Sequence, residues 1–375
     1  MKYKSMVAAC ISIRFMTGAL LVFFGMEYLK ASKFFVDSYI VYSLYRNLDG
    51  YQNILRFTPF DSFNNTAKIY KLLFFNQNFS FELFIILASL LYCLLFIYFV
   101  KSTEIKNHQT AFIVFLLFFV FDMIFLFQPS KDFFSLLINV LILKLILSDR
   151  KGKDIFLIIA ASLYALLFRE YYFAILLLFY FLRLAVNIGF KARILLFVLS
   201  AAGFCAIFYG TNYFDEIILL RYHSFRLLSD FTNTVIQDVF PSLPGEKNIL
   251  KYAANYLVVA LRLLFPVEVL WKSPSRGIIF FPLQLIIDYI LFRYIPVVSH
   301  YLKNKKTMPE DMRKEAEIIT RIFLYIVSFF LVAVLFEPDF GSVFRHSINL
   351  MPYVLYLGFS ASYKLFDKSK SIAAD

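Results

Sequence analysis

The polar side chains that could carry chemistry are few in this sequence, and they cluster in three places: residues 130–132, 169–170 and 337–346. Each cluster lies between apolar segments that are nearly free of charge. Together they offer Arg and Lys side chains, which bind phosphate oxygens, and carboxylate and imidazole groups, which accept protons. These residue types predict the binding of an anion together with the transfer of a proton.

Arg169 and Glu170 lie between apolar runs of 14 and 16 residues, at 155–168 and 171–186. As helices, these runs would be about 21–24 Å long, which is shorter than the roughly 30 Å hydrocarbon core of a bilayer. If the basic loops on both sides are held at the cytoplasmic surface, Arg169 and Glu170 lie below the outer surface, in a recess. A charge at that depth is costly and by default indicates a ligand or pathway site. The alternative is an ion pair at a locally thinned interface.

The turn Pro129-Ser130-Lys131-Asp132 has two interpretations. Asp132 begins the next apolar segment, where a carboxylate interacts favourably with the helix dipole, so the turn could be an ordinary helix cap. Lys131, however, is among the few basic residues predicted in short outward turns. It is therefore also a candidate anion ligand.

The stretch from Glu337 to His346 joins the last two apolar segments and contains Asp339, a Gly-Ser pair and Arg345. A loop that only joins two helices does not require two carboxylates, a guanidinium and an imidazole within ten residues, so this stretch is a candidate functional site. Further charged residues fall in two long polar stretches, and singly each of them is more typical of a solvated loop; they are Asp37, Arg46, Arg221, His223, Arg226, Arg262 and Arg276. Arg221, His223 and Arg226 would lie partly on one helical face. An outward basic patch opposes the usual charge bias, and an anionic substrate would explain it.

The composition explains which elements must position these residues. Of 375 residues, 61% are hydrophobic and 17% charged, with a mean hydropathy of +0.70. A soluble chain is about half apolar and about one quarter charged. The sequence therefore excludes a cytosolic globular enzyme, a disordered protein and a nucleic-acid binder with a basic solvated face. The net charge of +12 is typical of a membrane protein whose cytoplasmic loops collect Lys and Arg.

Eleven apolar segments can be recognised, at 6–29, 80–100, 109–127, 133–147, 155–168, 171–186, 193–210, 252–270, 277–297, 319–336 and 347–365. Counting 252–270 as a span places the Lys-rich loop 298–318 outside, against the positive-inside rule. That segment also carries two charges and Pro266, so we interpret it as an amphipathic or re-entrant element. The prediction is an all-α, polytopic protein of about ten spans, forming one integral membrane domain over 1–375.

In this topology both termini are cytoplasmic, and the stretches 30–79 and 211–276 face outward with short amphipathic helices. The sequence contains no G-x-x-x-x-G-K-[ST] and no G-x-G-x-x-G motif. The chemistry is therefore expected on the outer face, without a bound nucleotide. Cys10, Cys93 and Cys205 lie in apolar runs and are more typical of core residues than of ligands. No cofactor is predicted, and with no D-x-D in the first outer stretch, no metal.

The sequence resembles the Wzy-like polysaccharide polymerases, which join undecaprenyl-diphosphate-linked repeat units of O-antigen or capsule. The features that carry the resemblance follow the family's order along the chain: Asp37-Ser38, Ser130-Lys131-Asp132, Arg169 followed by Tyr, and the acidic stretch with Gly-Ser and Arg345-His346 before a last span containing Pro352. The family is defined by topology and scattered charges rather than by a strict motif.

The resemblance implies a glycosyltransferase-type enzyme in the bacterial inner membrane, with lipid-linked glycan as donor and acceptor. It implies that Lys131, Arg169 and Arg345, with Arg221 and Arg226, hold the donor diphosphate. The acceptor-side base is then one of Asp37, Glu170, Asp339 and His346. A chain-length regulator and a flippase are the expected protein partners. The alternatives are a single-sugar transferase with a lipid-phosphate donor, an O-antigen ligase and, outside the enzymes, a lipid-linked glycan flippase.

Overall fold

The computed structural model describes residues 36–48, 51–75, 77–103, 130–212, 235–236, 238–240, 246–337 and 339–359, with isolated positions before residue 23. In these ranges the regular structure is helical, apart from one isolated bridge between Val235 and Asp339. The predicted all-α class is confirmed.

The helices in chain order are α1 (Val36–Asn47), α2 (Tyr51–Leu55), α3 (Ser62–Leu73), α4 (Phe81–Ser102), α5 (Lys131–Leu147), α6 (Lys153–Leu167), α7 (Tyr171–Asn187), α8 (Phe190–Gly210), α9 (Ile249–Leu264), α10 (Val269–Lys272), α11 (Pro274–Asn304), α12 (Glu310–Phe336), α13 (Phe340–Ser347) and α14 (Met351–Phe359). A 3-10 turn at Ile348–Leu350 joins α13 to α14.

Four helices within the described ranges are long and apolar enough to cross a membrane: α4, α8, α11 and α12. They indicate a membrane protein. The helices α5, α6 and α7 have 15 to 17 residues each and are shorter than a typical span. The predicted span at 109–127 lies outside the described residues, and more than half of the one at 6–29 does too. The total of about ten spans therefore stays a prediction.

The chain divides into two compact units, residues 1–173 with 348–375, and residues 174–347. In the first unit, α5 lies against α3, α4, α6 and the segment 348–359, and α1 packs on α3. An aromatic core that includes Tyr45, Tyr70, Phe84 and Phe134 fills the space around α3. This packing places the beginning of α5 beside the end of α6.

The helix α3 has a polar side that is nevertheless buried. Asp61 caps its first turn by accepting a hydrogen bond from the Asn64 amide at 3.2 Å. The Lys68 ammonium donates to the Arg56 carbonyl at 2.5 Å, and the buried Lys71 ammonium donates to Asn78. These bonds offset the cost of removing the two charges from water. The stretch predicted as the first outer loop thus contains ordered helices.

In the second unit, α9 has 16 residues and ends just before Pro266. One face, with Val259 and Leu263, is buried, while Leu250, Leu257 and Leu261 on another are 59–79% exposed. The Tyr256 hydroxyl donates to the Leu331 carbonyl of α12 at 2.7 Å. These features fit the interpretation of 252–270 as an amphipathic element rather than a span.

The helices α11 and α12 continue beyond their apolar segments into the predicted loop 298–318, so only residues 305–309 connect them. The two helices extend into this polar stretch because Lys, Glu and Arg are good helix formers. Ion pairs four residues apart, Glu310 with Lys314 and Glu317 with Arg321, support the polar turns of α12.

Candidate functional site

The short helical hairpin predicted around Arg169 is present. The helices α6 and α7 have 15 and 17 residues, so they are about 22–26 Å long. The turn of residues 168–170 joins them, and the basic residues 150, 151 and 153 lie at the opposite end of α6. With that basic end at one membrane surface, the turn is about 5 Å or more short of the other edge of a 30 Å hydrocarbon core.

Arg169 and Asp132 form an ion pair at this turn. The Arg169 Nη2 lies 2.7 Å from the Asp132 Oδ1, and the two side chains are 9% and 0% exposed. Ser130, rather than Asp132, caps α5, because its hydroxyl accepts a hydrogen bond from the Asp132 amide at 3.3 Å. The Asp132 carboxylate is not used in this cap, and it contacts Arg169 instead. The sequence pattern suggested a cap at this turn but did not identify this partner.

The other side chains at the turn complete a small charged cluster, which we call the hairpin cluster: Lys131, Asp132, Arg169, Glu170 and Tyr171. The Arg169 Nη1 donates to the Tyr171 hydroxyl at 3.1 Å, and the Lys131 ammonium lies 4.1 Å from the centre of the Phe63 ring. Glu170 is exposed. Two of the three clusters predicted from the sequence thus meet in one place.

The segment before α3 holds the hairpin cluster from the side. The Phe60 amide donates to the Leu166 carbonyl at 2.7 Å, and the Asn65 amide group donates to the Leu167 and Thr58 carbonyls at 2.7 and 2.6 Å. Phe60 has a φ of 63°, in the left-handed region that bulky residues seldom adopt. Sequence reasoning missed Asn65, although its position just after the Asp61 cap placed it in the first turn of a helix.

A buried polar stripe continues from the hairpin cluster along α5. Asp132, Ser135 and Asn139 are three and four residues apart, so they share one face of the helix. The Ser135 hydroxyl bonds to the Tyr164 hydroxyl, and the Asn139 amide group donates to the Tyr172 hydroxyl at 2.7 Å. The Tyr353 hydroxyl donates to the Asn139 Oδ1 at 3.1 Å. Sequence reasoning missed this stripe, whose signal was two polar residues at helical spacing from Asp132.

The third predicted cluster lies in the second unit, between α12 and α13. Both oxygens of Asp339 accept hydrogen bonds from Ser342, one from its amide at 3.0 Å and one from its hydroxyl at 2.7 Å, so Asp339 caps α13. The His346 Nδ1 contacts the Glu337 Oε1 in a close hydrogen bond. Glu337 and His346 are 7% and 12% exposed in their side chains. Arg345 precedes His346 on the same helix.

The remaining predicted residues are distributed along the fold. Asp37 lies in the first turn of α1. Arg221 and Arg226, as well as His223, lie outside the described residues. Lys144 donates to the Tyr98 hydroxyl at 2.6 Å. Arg262 is paired with Glu268, which also contacts Lys272 at 2.9 Å.

Within the described ranges, no group of three or more His, Cys, Asp or Glu side chains is arranged to hold a metal ion. No protein-family model, no curated protein and no solved structure matches the chain.

Proposed function

We propose that this protein polymerises undecaprenyl-diphosphate-linked oligosaccharide repeat units on the outer face of the bacterial inner membrane. The growing chain would leave its lipid diphosphate and be joined to a hydroxyl at the non-reducing end of a new lipid-linked repeat. The product would be an O-antigen, a capsule or another exopolysaccharide. The lipid-linked glycan is donor and acceptor in this proposal, and the chain lies in the membrane with both termini cytoplasmic.

The observation that carries the proposal is the hairpin cluster at the end of two short helices. A lipid diphosphate has its charged group at the headgroup level, so a ligand for it must lie near the edge of the hydrocarbon core. Arg169 lies at the turn of a hairpin that is too short to cross the core, which meets this requirement. Lys131 precedes Asp132, the ion-pair partner of Arg169, in the sequence, and its ammonium lies over the Phe63 ring. In this proposal it is a second cation for the diphosphate.

Asp132 has a defined role in this proposal. Its carboxylate accepts a hydrogen bond from Nη2 of Arg169, and the Tyr171 hydroxyl accepts one from Nη1. Because two groups hold the guanidinium, its plane is fixed before the substrate arrives. A preorganised cation needs little rearrangement as negative charge develops on the leaving diphosphate, and such preorganisation is a major source of catalysis. The resemblance also implies Arg345 as a diphosphate ligand, and this assignment stays a prediction.

The test is the surface glycan of a strain that lacks this protein, analysed by gel electrophoresis. A single capped repeat in the deletion strain, and a ladder after complementation, is the expected result. Long chains that lack one sugar branch would instead indicate a single-sugar transferase. Long polymer that remains on the lipid carrier would indicate a ligase, and repeats retained on the cytoplasmic face would indicate a flippase.

The residue assignment is tested with Arg169→Lys and Arg345→Lys in the complementing copy. Lysine keeps the charge but loses the planar fork that binds phosphate oxygens in pairs. Loss of one charge-assisted hydrogen bond of about 1.5–3 kcal/mol predicts roughly 10- to 150-fold slower transfer, and therefore shorter ladders. The matched control is Arg150→Lys, an exposed position in the loop between α5 and α6. Normal ladders from both variants at normal membrane levels would contradict the assignment.

A further inference from the structure

The connection between α12 and α13 brings Glu337 and His346 into contact, although they are nine positions apart in the sequence. Glu337 directly follows α12 as its C-cap, and Asp339, two residues later, caps the beginning of α13. The eight residues of α13 then return the chain so that His346, near its end, meets Glu337. The ring stack of Phe280 and Phe344, with centroids 4.5 Å apart, fixes the helix against α11. The pair is therefore held by a cap, a helix and an aromatic contact.

The chemistry of the pair follows from which atoms touch. When Glu337 is ionised, its carboxylate only accepts hydrogen bonds, and the Nδ1 of His346 then donates the hydrogen of this contact. In the neutral imidazole, the lone pair is then on Nε2. A carboxylate that orients an imidazole in this way also stabilises the imidazolium that forms when Nε2 takes a proton. This is the arrangement of an oriented general base.

Among the candidate bases, Asp339 already has a different role, because both of its oxygens accept hydrogen bonds from Ser342 at the start of α13. The Glu337 side chain is 7% exposed and contacts His346. His346 is more exposed than Glu337 and follows Arg345, a predicted diphosphate ligand, on one short helix. A base and a cation for the leaving group are thus adjacent in sequence.

We infer that His346 is the base for the acceptor hydroxyl and that Glu337 is the positioning residue that holds its imidazole, an assignment that rests on the proposed function. The acceptor oxygen attacks the anomeric carbon of the donor sugar, and its proton moves to Nε2 of His346. The bond between the anomeric carbon and the phosphate oxygen breaks, and the lipid diphosphate leaves with that electron pair. The imidazolium then returns its proton to solvent, which completes the cycle without an oxidant or a further reactant.

The first experiment measures the tautomer of His346 and needs no activity. The full chain, labelled with ¹⁵N-histidine and reconstituted in nanodiscs, is compared with its His346→Gln variant to assign the His346 resonances. The expected spectrum has a protonated Nδ1 and a non-protonated Nε2. In Glu337→Gln the amide can donate as well as accept, so a mixture of tautomers is expected. A wild-type spectrum with the lone pair on Nδ1 would overturn the proposal.

The second experiment measures polymerisation by the purified chain with lipid-linked repeat units. Glu337→Gln should lower kcat by about 10- to 100-fold and change KM by less than about twofold, because the variant alters the proton acceptor and not the substrate contacts. Imidazole in the buffer should restore part of the activity of His346→Ala. The matched control is His300→Ala, whose imidazole contacts Asn304 near the other end of α11 and should leave the rate unchanged.

The outcomes distinguish a failure of the proposed function from a failure of the roles assigned to His346 and Glu337. Active wild type with an unchanged kcat in Glu337→Gln would overturn the assignment of the pair and leave the proposed function intact. Wild type that makes no polymer from any lipid-linked repeat would overturn the proposed function and this assignment together, even if the tautomer is the expected one.

Discussion

At the scale of single residues, three pairs of ionisable side chains in the described ranges lie largely away from water. Arg169 with Asp132, Glu337 with His346 and Arg262 with Glu268 are pairs in which both side chains are less than 20% exposed. The cost of removing a lone charge from water is several kcal/mol, and a partner with good geometry offsets most of it. Removing one member of such a pair is therefore more harmful than its exposed surface would suggest.

Glu268 gives a pH-dependent prediction. Burial by itself would raise the pKa of Glu268, but hydrogen bonds from Arg262 and Lys272 outweigh it and lower the pKa below its usual 4.5. A carboxyl group with a lowered pKa stabilises the fold above its unfolded pKa, and this contribution is lost as the pH falls through the folded value. We therefore expect Glu268→Gln to destabilise the protein by about 1–3 kcal/mol at pH 7.

The measurement is thermal unfolding in detergent micelles at pH 7 and at about pH 3, below the usual carboxyl range. The difference between the wild type and Glu268→Gln should shrink at the lower pH, because the stabilisation from the ionised carboxyl group is lost as the pH falls through its folded pKa. A difference that is equal at both values would show that the amide disturbs packing rather than charge. Glu310→Gln is the control, since Glu310 is exposed and pairs with Lys314 on the surface of α12.

The role of an individual side chain was predictable from the sequence only where neighbouring residues in the chain determine it. A helix cap was one of the two interpretations of the turn at residues 129–132, and Ser130 caps α5 there. The partner of Arg169 was not predictable, because Asp132 lies 37 residues away and the contact exists only once α5 packs against α6. The pairing of His346 with Glu337 depends in the same way on the direction of α13, which the Asp339 cap sets.

At the scale of elements, the sequence predicted helix type better than helix ends. The hairpin of α6 and α7 was expected from its two apolar runs, and its helices are one residue longer than those runs. The element at 252–270 was expected to be amphipathic from its charges and Pro266, and α9 stops two residues before that proline. The polar turns of α11 and α12 were missed, because apolar composition does not indicate where a charged helix ends.

Gly277 gives a prediction about how α10 meets α11. A Cβ at this position would lie 2.7 Å from the Val269 carbonyl oxygen and 2.8 Å from the Leu270 Cα, and backbone atoms cannot move aside cheaply. We expect Gly277→Ala to cost about 1–3 kcal/mol of stability through overpacking. The loss should appear as a lower Tm in detergent.

The matched control for this prediction is Gly203→Ala in α8. A Cβ there meets nothing within 4 Å, so alanine should leave the Tm unchanged or raise it through its better helix propensity. Equal effects of the two substitutions would contradict the close approach of α10 and α11.

At the scale of the whole molecule, composition and hydropathy were sufficient to predict an all-α membrane protein. The number of membrane spans was harder to predict than the fold class. It depends on short helices such as α6 and α7 and on segments outside the described residues. Orientation came from the distribution of Lys and Arg in loops, a physical bias of insertion rather than of folding. The two compact units were not predicted, because the first unit combines two distant parts of the chain, 1–173 and 348–375, which no local sequence pattern indicates.

The predicted orientation can be tested with single cysteines at the two ends of α6. In a variant in which Cys10, Cys93 and Cys205 are replaced by serine, Glu170→Cys should react with a membrane-impermeant maleimide added to intact spheroplasts. Lys151→Cys should react only after the membrane is permeabilised. Both native side chains are exposed, so access within the fold is not limiting. The reverse labelling pattern would invert the topology, and with it the outward position of the hairpin cluster.

The polar stripe of α5 has a consequence for how the sequence can change over time. Asp132, Ser135 and Asn139 meet Arg169, Tyr164 and Tyr172 on the neighbouring hairpin. Turning α5 by the 100° of one residue would break all three contacts at once and expose amide and carboxyl groups to hydrocarbon. Insertions of a single residue are therefore tolerable in the loop before α6 but not inside α5. One extra residue there would rotate part of the polar stripe away from its partners on the hairpin.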